Sequence, residues 1–184
     1  MCYAEIGHLY SKTSEHQLAP NYYKKGIALA KKHGYETLEI TLLESLGVHY
    51  YRHSDYKMGL KYLLEAAKLA QTKPEYELRL ANTHVYLGEI KTKQKEFDAA
   101  MNYLRFSLNI YTKHQYEVGK IAVDRRLAFL YFDLKQYALA ELHIQKSIVH
   151  HLKTKEKNPL FDDYRLLYLI HEAKGNHQLA LKNH

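Results

Sequence analysis

Apolar and small residues recur at three- and four-residue spacings along nearly the whole chain, with charged residues on the opposite positions, which is the pattern of amphipathic helices. The stretch Leu46 to Ala70 shows it most clearly. Leu43, Leu46, Gly47 and Tyr50 fall on one helical face, and Gly59, Leu63, Ala66, Ala67 and Ala70 fall on a second. Between them His53-Ser54-Asp55 predicts a turn, with Ser54 or Asp55 capping the helix that follows. The element predicted is a helical hairpin whose small residues let two backbones approach while bulky neighbours fill the flanks.

The same order recurs at intervals of 40 or 41 residues. Its anchors are Gly7, Gly47, Gly88, Ala128 and, less well, Tyr168. Three residues after each stands Tyr10, Tyr50, Lys91, Tyr131 or His171. Twelve after stands a small residue, Ala19, Gly59, Ala100, Ala140 or Ala180; nineteen after, Gly26, Ala66, Ser107 or Ser147. A period of this size marks a solenoid, in which each unit buries its apolar face against its neighbours. Punctuation agrees with the period. Ser14 and Gln17 form a candidate capping box, Gly34 a helix stop, Pro74 a helix opening, Gln94-Lys95 and Lys135-Gln136 turns, Asn158-Pro159 an N-cap with a helix-opening proline, and Gly175-Asn176 a last turn.

The expected architecture is all-α, a right-handed α-α superhelix of about five helical hairpins, approximately 1–34, 35–73, 74–114, 115–157 and 158–184, in one repeat domain spanning 1–184. The first and last hairpins are incomplete. The chain is therefore expected to be part of a longer protein, with solenoid ends covered by missing segments or by a second copy in a homo-oligomer.

The order apolar-small-x-x-Tyr, then small, then aromatic or aliphatic, then small, resembles the tetratricopeptide repeat over nearly the whole chain. The period exceeds that family's usual ~34 residues, and there is no Trp. Helices longer by almost two turns account for the difference. Long-period versions of this kind are found in bacterial sensory and peptide-responsive proteins, and the tail ALKNH is similar to the last repeat of a group of bacterial sensors. The resemblance implies a scaffold that binds proteins or peptides on the face lined by the first helix of each hairpin. Carried onto this sequence, the groove positions include Tyr51, Asn82, Arg125, Phe129, Phe132 and Arg165, with Glu44, Val48, Val85, Glu89, Asp162 and Leu169 beside them. Arg125 and Arg165 occupy the same position of adjacent copies. They would meet an acidic or C-terminal carboxylate ligand in fork geometry, or instead pair with Asp162, Asp124 or other carboxylates of the chain. The carboxylate clamp by which some family members hold chaperone tails is absent, since Ala4, His8, Glu44 and Val48 stand at its positions.

Composition narrows the classes. A chain with 46% hydrophobic and 26% charged residues, evenly spread, is not a disordered tail. The single cysteine, Cys2, permits no intrachain disulfide. The longest apolar run, Ala128 to Phe132, is far too short to cross a bilayer, and MCYAEIGHLY lacks a signal-peptide pattern. A cytoplasmic location is expected, with the periplasmic sensory part of a longer membrane protein as the alternative. The net charge of +7 favours acidic partners. Lysines cluster at 24–25, 31–32, 91–95 and 153–157. They read as a solvated rim that complements helix C-termini, with nucleic-acid binding as the competing function. His49 and His53 share a helical face, as do His143, His150 and His151, but no Cys, Asp or Glu stands at a spacing that completes either as a ligand set. No metal, cofactor or catalytic residue is assigned, no phosphate-binding loop exists, and no reaction is expected.

Overall fold

The computed structural model describes residues 3–176. Among them nine α-helices and two short 3-10 turns carry the chain, with no strand: α1 Tyr3–Ser11, α2 Ala19–Lys32, α3 Glu36–Arg52, α4 Tyr56–Ala70, α5 Glu77–Lys93, α6 Phe97–Lys113, α7 Glu117–Asp133, α8 Tyr137–Thr154 and α9 Lys157–Ala173. α1 has 9 described residues where α3, α5, α7 and α9 have 17 each. Tyr56, Phe97 and Tyr137, which hold equivalent places in the repeat, are the first residues of α4, α6 and α8. Ala180 and the ALKNH tail lie outside the described residues.

The chain divides into two compact units, Met1–Glu96 and Phe97–His184. In the first, α1 to α5 pack each on the next around Tyr23, Ile40, Leu43, Leu46 and Leu80. In the second, α6 to α9 do the same, with Ala128, Ala140, Ile144, Leu166 and Ile170 forming a core. The repeat's small residues stand where helices touch. Gly7, Gly47, Gly88, Ala128, Ala19, Gly59, Ala100, Ala140, Gly26, Ala66, Ser107 and Ser147 are all buried. A Cβ on Gly47 would lie 2.7 Å from Leu63 Cγ and 3.1 Å from the Leu63 backbone nitrogen, so α3 and α4 meet there at backbone distance.

One device ends most of the helices. At seven turns a residue with positive φ follows the helix, and the next residue's amide donates to the carbonyl five residues back, as Tyr35 to Ala30, Asp55 to Tyr50 and Gln136 to Tyr131. Only Gly34 and Gly175 are glycines; Ser54, Lys95, Gln115, Lys135 and Lys155 adopt the left-handed conformation with side chains. Of the two caps proposed for α4, Asp55 serves, its Oδ1 accepting from the Met58 amide at 3.0 Å, while Ser54 takes the left-handed turn.

Two expected caps are corrected. The Ser14/Gln17 box does not form: a 3-10 turn, His16–Leu18, precedes α2, whose N-cap Leu18 has no acceptor, and Pro20 supplies the preset φ of the first turn instead. Asn158 lies inside the first turn of α9, since the helix begins at Lys157 with Glu156 at the N-cap.

Candidate binding face on the first helices

Within the first unit α3 touches both α1 and α5, and within the second α7 touches α9. These are the first helices of successive repeats, so each unit presents a face built from them. The six groove residues read from the sequence divide between the units, Tyr51 and Asn82 in one and the other four in the second.

In the first unit a cavity of about 240 Å³ opens on this face, walled by His8 and Ser11 of α1, Glu44 and His49 of α3, and Asn82 and Tyr86 of α5. Asn82 is thus placed on the cavity wall. Tyr51 is not part of that wall; it is half-buried, its ring 6.3 Å from that of Tyr56. Burial raises the Glu44 carboxyl above its ordinary pKa, opposed by the hydroxyl hydrogen bond from Thr83 and by the Arg79 guanidinium. His49 is only 4% exposed. Burial, and then the proximity of His53 and His16, lower its pKa to about 4. The wall therefore combines a carboxyl held towards its protonated form with an imidazole held neutral.

In the second unit the guanidinium of Arg125 is already engaged. Its Nε donates to Asp163 Oδ1 at 2.7 Å and its Nη2 to Asp162 Oδ2 at 3.0 Å. Asp163 is wholly buried, and its other oxygen accepts from Ser147 Oγ at 2.6 Å and His151 Nδ1 at 2.7 Å. Of the two readings open for Arg125, pairing within the chain describes its geometry. Arg165 is exposed and makes no side-chain hydrogen bond or ion pair among the described residues. Phe129 is exposed, while Phe132 packs half-buried against the core with its ring 5.8 Å from Tyr137. Ser147, His151 and Asp163 have the composition of a hydrolytic triad but not its geometry. Serine and histidine converge on the same carboxylate oxygen, and the nitrogen nearest the hydroxyl is the one already bound to aspartate, so no base faces the serine.

The histidines of α8 are separated rather than gathered. His143 Nδ1 lies 2.6 Å from the buried Asp124, and His151 is taken up by Asp163. His49 and His53, by contrast, are joined by His16, a residue outside any helical register with them. Asp163, Ser147 and His16 were not singled out from the sequence as parts of these clusters. Ser147 carried a signal as a buried small position, whereas the other two meet their partners only through the fold.

Helical hairpins repeating at about forty residues, with first helices side by side and small residues at the crossings, define a tetratricopeptide-like helical repeat. No family model matches the chain. The chain is similar to human protein O-mannosyl-transferase TMTC1, 27% identical over 172 residues, which is 88% of this chain and 18% of that protein. Among solved structures it is similar to BtubC from P. vanneervenii, with a TM-score of 0.84 at 17% identity over 98% of this chain and 75% of that one. It is likewise similar to a signal transduction ATPase with numerous domains carrying a tetratricopeptide repeat sensor, from Pyrococcus horikoshii, with a TM-score of 0.81 at 17% identity over 98% of this chain and 28% of that one. Likeness at this identity establishes the fold. The chain spans less than a fifth of the length of the human relative it matches.

Proposed function

We propose that the chain binds a protein or peptide on its first-helix face and serves as the sensory or regulatory part of a bacterial protein. The observation that carries this reading is the open cavity on the α1, α3 and α5 face, a polar concavity walled by His8, Glu44, Asn82 and Tyr86 and of a size to take a side chain of a bound peptide. The tetratricopeptide repeat sensor in the name of one structural neighbour supports the sensory role. In the second unit Arg165 and Phe129, exposed on the corresponding helices, suit an acidic ligand with an apolar side chain. Self-association belongs to the same reading, because Leu142, Val149, Leu152 and Phe161 expose apolar side chains along α8 and α9. Its setting would be the cytoplasm, or the periplasm if a membrane segment lies elsewhere in the full protein; no described helix is long and apolar enough to cross a membrane. Transferase activity is not carried over from the human relative, of which only 18% is matched.

The test is an array of acidic peptides probed with the purified chain and with Asn82→Ala and Arg165→Glu. Peptides bound by the wild type should bind at least tenfold more weakly to one or both variants, with far-UV circular dichroism unchanged. Equal binding by wild type and both variants would overturn the site. Nucleic-acid binding through the lysine rim is the second reading, favoured by exposed Lys24, Lys25, Lys93 and Lys95. It requires affinity that falls steeply between low and moderate salt.

A further inference from the structure

Three histidines from separate parts of the first unit converge at one point. His16 sits in the 3-10 turn between α1 and α2, His49 in the last turn of α3, and His53 at its C-cap. The rings of His16 and His53 stack with centroids 3.9 Å apart, and those of His49 and His53 lie 4.4 Å apart. One ligand nitrogen from each lies within 4.8 Å of the other two. Imidazole nitrogens bound tetrahedrally to zinc at 2.0–2.1 Å stand about 3.3 Å from one another. Closing the set therefore takes displacements on the order of an ångström, within reach of ring rotation by the exposed His53 and half-buried His16.

Hydrogen bonds behind two of the rings set which nitrogen is free to ligate, and the stacked rings of His16 and His53 must turn out of their stack to aim those nitrogens at one ion. His53 Nδ1 lies 2.8 Å from the backbone carbonyl of His49; a carbonyl can only accept, so Nδ1 carries the proton and Nε2 keeps its lone pair. His49 Nδ1 lies 3.2 Å from Ser11 Oγ, and a hydroxyl there can accept the ring N–H. Hydrogen bonds of this kind, to a carbonyl and a hydroxyl behind the rings, fix tautomer and orientation in metal-bound imidazoles. The group contains no carboxylate, which disfavours magnesium and calcium and suits the borderline ions that imidazole prefers.

We propose that His16, His49 and His53 form a three-histidine site for a divalent transition-metal ion, zinc foremost, with a fourth position open to water or to a side chain of a bound partner. The ion would tie the turn of the first hairpin to the end of α3. His49 and Ser11 also wall the binding cavity, so the site lies on its margin, but the proposal stands on the histidine geometry alone.

The test uses the chain without a polyhistidine tag, stripped with chelator and dialysed. Zinc is titrated against a chromophoric chelator, and Co²⁺ is added separately to read its visible d–d absorption. One equivalent of zinc should bind at low micromolar concentration or tighter, with a tetrahedral cobalt spectrum and a raised thermal midpoint. His16→Gln and His53→Gln, both outside the core, should each weaken binding at least tenfold while keeping the far-UV spectrum. Mg²⁺ should not bind. No saturable uptake at 100-fold higher zinc, or unchanged uptake by the His16→Gln/His53→Gln double variant, which keeps the other histidines, would overturn the proposal.

Discussion

Arg125 and Arg165 occupy equivalent positions of adjacent repeats, yet their surroundings predict opposite consequences for the same substitution. Replacing Arg125 with Gln removes the positive charge from Asp163, whose side chain is 0% exposed, and from the more exposed Asp162. Stranding one partner of a fully buried ion pair costs about 3–5 kcal/mol. Two features reduce that figure here: the Arg125 side chain is 26% exposed, and Ser147 and His151 continue to donate to Asp163. A loss of about 2–3 kcal/mol is therefore expected, a large share of the 5–15 kcal/mol that holds a typical domain together. Arg165→Gln, at an exposed position, should change stability by less than about 0.5 kcal/mol. Urea unfolding followed by far-UV circular dichroism reads the difference, and hydrogen exchange should place the loss in α7, α8 and α9. Adding Asp163→Asn to Arg125→Gln should restore part of it, because two neutral partners are less costly than one stranded charge. Equal shifts for the two arginine variants, or a double variant that merely sums its parts, would refute the assignment of Arg125 to the frame.

Three further outcomes follow from the packing, the turns and the buried imidazole. Gly47→Ala gains about 1 kcal/mol of helix propensity but drives a methyl into Leu63 Cγ and its backbone nitrogen, so a net loss of about 1–2 kcal/mol is expected in urea unfolding; a stabilised variant would mean that α3 and α4 are not in backbone contact. Lys135→Gly removes an exposed side chain from a residue at φ 59° and should stabilise by about 0.5–1 kcal/mol. Gly34→Ala, at φ 69° with nothing within 4 Å of the new Cβ, should destabilise by about 1 kcal/mol; equal midpoints across wild type and both variants would remove the left-handed cap from the account. With chelator present, stability should fall between pH 6.5 and 4, because the unfolded chain takes up a proton at His49 that the folded chain, with that pKa lowered to about 4, refuses. The part of the fall due to His49 should vanish in His49→Gln, and an identical pH profile in that variant would refute it.

The repeat was legible because small residues at helix crossings answer to a local rule. Wherever two helices must meet at backbone distance, only Gly, Ala or Ser fits, and these recur in register from Gly7 to Ser147. The turns were legible in position but not in chemistry. Five of the seven left-handed residues carry side chains, so a search for glycine finds two of the stops and misses the rest. The capping box at Ser14 failed for a related reason: the pattern was present, but the chain used a 3-10 turn ahead of Pro20 and left the serine unused.

Site residues were harder to read because their partners come from other repeats. The repeat spacing aligned Arg125 with Arg165, but it could not show that Asp163 would be buried and paired with Arg125. Nor does helical spacing alone connect His16 to His49 and His53, which lie more than thirty residues away and meet it only when the first hairpin folds against α3. Periodicity specifies which face of a helix a residue occupies. The chemistry of that face depends on residues one repeat away, where each copy departs from the pattern. In this chain those departures supply both the buried carboxylate that fixes Arg125 and the third imidazole that completes the histidine cluster.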